Sequence, residues 1–149
     1  MYKMTETYED YNGTKRTEDF YFNLNKAELL DLQMSYGGQL QNTLQKMVSA
    51  NDSDKLLAFF KDILLRSYGE KSDDGRRFIK NEETRNNFTQ TEAFSQIYLK
   101  LTQNETESQK FVRGIMPADI QEKVDSQEAS RQITAEPGKS PVGNVTPIR

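Results

Sequence analysis

The densest run of chemically capable side chains spans residues 68–83, YGEKSDDGRRFIKNEE. Carboxylates, lysines and arginines surround two glycines, Gly69 and Gly75. Such a stretch can serve as a calcium loop, a phosphate loop, a nucleic-acid patch or a solvated turn. An EF-hand loop wants Gly at its sixth position, oxygen ligands at the first, third and fifth, an aliphatic at the eighth and Glu at the twelfth. With Gly75 sixth, Glu70, Ser72 and Asp74 fall on ligand positions, but Arg77 takes the eighth and Asn81 the twelfth. Phe78 and Glu82 each miss by one place, and adjacent arginines oppose a dication. The Walker pattern G-x-x-x-x-G-K-[ST] needs a different glycine spacing, and here Arg76 follows where Lys belongs. Arg76-Arg77 can meet phosphates, but Asp73-Asp74 sit just before them and supply local partners. A turn whose charges pair locally accounts for the whole stretch.

Reaction chemistry has little else to draw on. The chain has no histidine and no cysteine, so the usual general base, the commonest metal ligand and the thiolate nucleophile are missing. The adjacent pairs Asp73-Asp74 and Glu82-Glu83 cannot form a facing acid/base dyad, because neighbouring helical side chains diverge by about 100°. No enzyme activity, cofactor or metal is expected. The 149 residues carry a net charge of -3, which favours neither nucleic acid nor an anionic membrane as partner. The first ten residues, MYKMTETYED, lack an apolar h-region, and no apolar run reaches the ~20 residues that cross a bilayer. Absence of cysteine suits a reducing cytoplasm.

The elements that must position these groups follow from periodicity. Asn12-Gly13, between MYKMTETYEDY and TKRTEDFYFNL, predicts a hairpin with a type I′ turn, with Tyr2, Met4, Thr5 and Tyr8 alternating before it and Phe20 and Phe22 after it. Asn25 with Glu28 forms a capping box ahead of Leu29, Leu30 and Leu32, and Gly37-Gly38 breaks that run. Leu40, Leu44, Met47 and Val48 share one helical face. Asp52 or Ser53 starts a stronger helix with Leu56, Leu57, Phe60, Ile63 and Leu64 on its stripe, and Gly69 is the expected stop. Gly75 then turns the chain so that Phe78 and Ile79 pack between that helix and the next. Shorter helices follow over NEETRNNF, after Thr89 or Thr91, and over residues 105–114.

All four prolines lie beyond Met116, and the last aromatic is Phe111. A segment without large apolar groups cannot offset ordering entropy of ~1–2 kcal/mol per residue. The expected fold is therefore α+β and mostly α. An N-terminal β-hairpin (residues 1–23) packs on a compact bundle of about five short helices (residues 25–117), followed by a flexible, largely disordered tail (residues 118–149). The expected core comprises Phe22, Leu44, Phe60, Ile63, Leu64, Phe78, Phe94, Ile97, Tyr98, Leu101 and Phe111. Eight Phe and seven Tyr are more than such an interior holds, so Tyr8, Tyr11, Tyr21, Tyr36 and Phe59 are the expected exposed partner-binding aromatics.

In order along residues 1–117, YEDYNGTKRTEDFYFNLNKAEL, YGEKSDDGRRFIKNEE, FTQTEAFSQIYLKL and FVRGIMP resemble the tail assembly chaperones of long-tailed bacteriophages of Gram-positive bacteria. The segment beyond Pro117 shows no such likeness. The resemblance implies a non-catalytic factor of the host cytoplasm that binds the tape measure protein, keeps it soluble and helps tail tube protein assemble around it. It also implies absence from the mature virion and a longer product made by ribosomal frameshifting, which would carry the tube contact. A slippery codon run is compatible with Pro137-Gly138-Lys139. Self-association is compatible with this role. The competing expectation is a structural tail-completion or connector component of the virion.

Overall fold

The computed structural model describes residues 1–118, of which Met1–Pro117 form one compact unit. The expected tail beyond this unit lies outside the described residues. Among the described residues the order is β1 (Tyr2–Glu9), β2 (Lys15–Phe22), α1 (Lys26–Ser35), α2 (Leu40–Ser49), α3 (Ser53–Ser67), β3 (Tyr68–Lys71), β4 (Phe78–Ile79), α4 (Glu82–Thr89), α5 (Glu92–Gln103) and α6 (Glu105–Ile115). The mixed, mostly helical class is as expected. The sheet is larger than the hairpin alone: four antiparallel strands run in the order β1-β2-β3-β4.

The first hairpin pairs Tyr2 with Phe22 through to Glu9 with Lys15. Its loop is not the two-residue type I′ turn. Asp10 N–H donates to the Thr14 carbonyl, Gly13 N–H donates to the Asp10 carbonyl (both 2.9 Å), and in this loop only Gly13 has positive φ. That is the pattern of a three-residue loop with one left-handed glycine. Asp10 directs it, accepting from the N–H groups of Asn12 and Thr14 and pairing with Arg16 at 2.7 Å. Strand alternation then fixes the faces. Tyr2, Met4, Glu6 and Tyr8 turn inward opposite Phe22, Phe20, Glu18 and Arg16, whereas Thr5 points outward to Asp19.

Residues 68–79 form the second hairpin instead of a helix–helix turn. Helix α3 ends at Ser67, and Gly69 lies within β3 opposite Tyr21. Its small size has a packing reason: a Cβ there would sit 2.7 Å from the Phe78 ring. Gly75 does turn the chain, with φ 75°. Phe78 and Ile79 are half-buried strand residues, and no helix-to-helix wedge forms.

The helix ends follow the local signals. Asn25 and Glu28 complete the capping box, and Asp52, Asn81, Thr91 and Asn104 cap α3, α4, α5 and α6. The chain leaving β2 is stitched to two helix C-termini, Asn23 N–H to the Ser67 carbonyl (2.8 Å) and Leu24 N–H to the Ile115 carbonyl (2.7 Å). Those bonds satisfy carbonyls that a helix end leaves open.

Between sheet and helices lies a continuous set of aromatic rings centred on Phe88. Its ring stacks on Tyr68 at 4.0 Å and meets Phe20, Phe22 and Phe94 at 5.3–5.9 Å. Phe22 continues to Phe111 and Phe111 to Tyr2. Of the expected core, Phe22, Ile63, Leu64, Ile97, Leu101 and Phe111 are buried. Leu44, Phe60, Phe78, Phe94 and Tyr98 are only half-buried, because they sit at the rim of their stripes. Phe59, expected outside, is 2% exposed, while its neighbour Phe60 takes the rim. Leu30, Val48 and Leu57, expected to face inward, are exposed.

Two stability outcomes follow. Phe88→Ala should cost about 3–5 kcal/mol in urea unfolding, since it opens a cavity where four rings meet. Gly114→Ala should lower the melting temperature, although helix propensity alone favours Ala by about 1 kcal/mol. An added Cβ would lie 2.3 Å from Cδ1 of Tyr2. In a Tyr2→Ala background the cost should shrink, because only the residue 2 Cβ remains close, at 3.0 Å; a stabilising Gly114→Ala in the native background would contradict this packing.

Candidate functional site

The five aromatics expected to form a partner surface do not come together. Tyr8 is half-buried at the end of β1 against Phe20, its hydroxyl donating to the Glu18 carboxylate, and that bond pushes its pKa up to about 12. Tyr21 lies on the outer sheet face under the Lys71 ammonium, 4.1 Å from the ring centroid. Tyr36 caps α1, rests on Phe59 and donates to Asp62 at 3.0 Å. Burial, then the Asp62 charge and this hydrogen bond, push its pKa up to about 12. Phe59 is core. Tyr11 alone is fully open, 75% exposed at the hairpin tip, with its hydroxyl 3.2 Å from Glu92.

The charged loop 72–77 uses its oxygens on itself. Ser72 Oγ donates to Asp74 at 2.7 Å and accepts from Arg77 N–H, and Asp74 accepts from Arg76 N–H. These bonds hold the Asp74 carboxyl below its ordinary pKa. Glu70 belongs to β3, where it meets the Tyr68 hydroxyl, and Asn81 caps α4. The residues that matched calcium positions thus occupy separate structural roles. No group of three or more metal-ligating side chains occurs among the described residues.

Two charges are drawn into the interior, and each ties elements together. Glu6 is 3% exposed and receives Lys100 at 2.7 Å and Gln96 at 2.9 Å, fixing β1 to α5. Lys80 donates to the Asn23 carbonyl (2.5 Å) and to Glu28 (2.8 Å), joining the end of β4 to the α1 capping box. Desolvation holds the Lys80 pKa below its ordinary value against the pull of Glu28. Both partners of each pair are engaged, so neither pair resembles a poised acid or base.

The open apolar side chains lie elsewhere. Leu30 and Met34, one turn apart on α1, are 58% and 66% exposed, and Val48 on α2 is 59% exposed. Leu40, Leu44 and Met47 of α2 are half-exposed beside it. Sequence periodicity held the signal. Leu29, Leu32 and Tyr36 make one face of α1 at i, i+3, i+7, and Leu30 with Met34 make a second at i, i+4. A surface helix apolar on two faces has one face more than its own core can use.

The described residues thus present open apolar side chains on α1 and α2. A family model for phage tail assembly chaperones matches residues 1–146, and the chain belongs to that family, which is non-catalytic. The match continues well past Pro117, where the sequence motifs showed no likeness. No curated protein and no solved structure matches the chain. Among the described residues no helix is long and apolar enough to cross a membrane.

The raised tyrosines set an alkaline limit. Between pH 10 and 12 the unfolded chain ionises its phenols while folded Tyr36 keeps its proton, so the unfolded state binds fewer protons and stability falls as pH rises. Tyr36→Phe should flatten that fall in urea titrations across this window. An unchanged slope would show that folded Tyr36 ionises together with the unfolded phenols.

Proposed function

We propose that this chain binds the tape measure protein before the tail tube encloses it, keeps it soluble and promotes tube assembly around it. The family match over residues 1–146 carries the proposal. The physical support is the open apolar surface on α1 and α2, set in a chain of net charge -3. A long helical tape measure protein exposes apolar stripes until it is enclosed. Leu30, Met34 and Val48 suit the face of such a helix, in the manner of an amphipathic helix laid against an apolar surface. Surplus negative charge keeps the resulting complex dispersed. In this reading the protein works in the host cytoplasm, and tube protein is reached mainly through a longer frameshift product. It takes no nucleic acid or membrane partner and leaves before the virion matures.

Co-expression with the neighbouring tape measure gene tests the proposal. The soluble fraction of tape measure protein should rise with the native chain, and Leu30→Asp/Met34→Asp should abolish the rise while retaining the native circular dichroism. No rise with the native chain would overturn the function. A full rise with the double variant would overturn only the surface. Stoichiometric copies in purified virions would point instead to a structural tail-completion or connector component.

A further inference from the structure

Strand β1 is the free edge of the sheet, with β2 as its one strand neighbour. The Asp10–Thr14 bond sets the phase of the ladder. Even positions of β1 turn their N–H and C=O groups toward β2, and Lys3, Thr5, Thr7 and Glu9 turn theirs outward. Side chains agree with this phase: Thr5 and Asp19, and Thr7 and Thr17, meet at 2.6 and 2.9 Å, as non-hydrogen-bonded pairs do. Among the described residues Gln96 reaches this outward row, 3.0 Å from the Thr7 carbonyl. That carbonyl keeps a second lone pair. The edge is eight residues long, without proline or bulge. Long open edges of this kind template pairing with another strand.

We propose that the β1 edge pairs with the β1 edge of a second copy of this chain, as an isologous antiparallel dimer. The side chains select this occupant and its register. A two-fold axis through the sheet keeps the even residues of both copies on the helix-covered face. Lys3 can then stand opposite the partner's Glu9, and Thr5 opposite the partner's Thr7. Symmetry repeats each pair, giving two ion pairs and two threonine pairs on the outer face, where Lys3, Thr5, Thr7 and Glu9 are all exposed. Sliding by one pair sets Lys3 against Thr7 and Glu9 against Met1 in one direction, or Lys3 against Tyr11 and Glu9 against Thr5 in the other, and either slide loses both Lys3–Glu9 pairs. In the matched register the two copies of Glu6 flank the axis, each neutralised by its own Lys100 at 2.7 Å. Charged pairs and threonine pairs directly opposite each other stabilise antiparallel strands, and like charges there destabilise them. The proposal does not depend on tape measure binding.

Sedimentation velocity of the full chain alone tests the dimer, with amide hydrogen exchange as the second readout. The native chain should be dimeric, with the odd-numbered β1 amides protected along with the even ones. Lys3→Glu and Glu9→Lys should each raise the dimer dissociation constant at least tenfold and expose the odd amides, leaving the even ones protected. The double exchange, Lys3→Glu with Glu9→Lys, should restore the dimer. A native chain that stays monomeric at its highest soluble concentration overturns the proposal. So does a dimer indifferent to both single reversals. Odd amides that become protected only when tape measure protein is added would assign the edge to that partner and overturn it as well.

Discussion

The stacking of Phe88 between the sheet and the helices is the interaction on which the other packing rests. A two-stranded hairpin alone is marginal in water. Here its inner rings, Phe20 and Phe22, are held by a ring that α4 supplies and that Tyr68 covers face to face. Tyr68 stands where α3 becomes β3, so the same stack fixes the direction in which the chain leaves α3. Aromatic pairs add about 0.5–1.5 kcal/mol beyond the area they bury. Several such pairs sharing one ring make its position hard to vary. The close approach at Gly114 follows from that rigidity, because the Tyr2 ring, held against Phe111, cannot readily yield to a methyl group.

The interior charges serve location more than stability. A buried ion pair recovers its desolvation cost only with good geometry and further hydrogen bonds. Glu6 has both, through Lys100 and Gln96. A one-residue slip of β1 would bring Thr5 or Thr7 inward and leave Lys100 without its carboxylate. Lys80 acts likewise on the other side, since the Glu28 that receives it also accepts the Asn25 N–H. A single carboxylate therefore caps α1 and anchors the end of β4. These contacts answer to register and docking angle, which apolar packing specifies poorly.

Much of the fold was legible where the determinant is local. The hairpin, the capping box at Asn25, the Gly37-Gly38 break and the start of each later helix rest on neighbouring residues, and sequence reads neighbours well. The second hairpin was not legible. Its β4 strand is two residues long, too short to alternate, and it exists because β3 finds β2 across a long stretch of chain. Tertiary pairing overrode the glycine stop expected at Gly69. The type I′ expectation failed for a related reason, because Asp10 offers the loop backbone an acceptor that a turn dipeptide does not reveal. The expected exposure of Phe59 was misread by phase. Adjacent Phe59 and Phe60 differ by about 100° around α3, and aromatic surplus says nothing about which one turns outward.

That misreading has a physical lesson about where a binding surface can sit. Tyrosines at a rim rarely stay free, because their hydroxyls find carboxylates, as Tyr8 and Tyr36 do with Glu18 and Asp62. Each such bond orders the ring in place and removes it from service to a partner. Leucine, methionine and valine have no polar handle to satisfy, so an exposed one keeps its full cost of about 25 cal/mol per Å² until something covers it. Helix α2 contributes no fully buried residue among those described, yet it carries Leu40, Leu44, Met47 and Val48. The aromatic core on the other elements, with Leu29 and Leu32 of α1, supplies stability that α2 does not. Apolar surface can therefore stay open on these two helices without unfolding the domain, and its unrecovered burial is free energy a partner can gain.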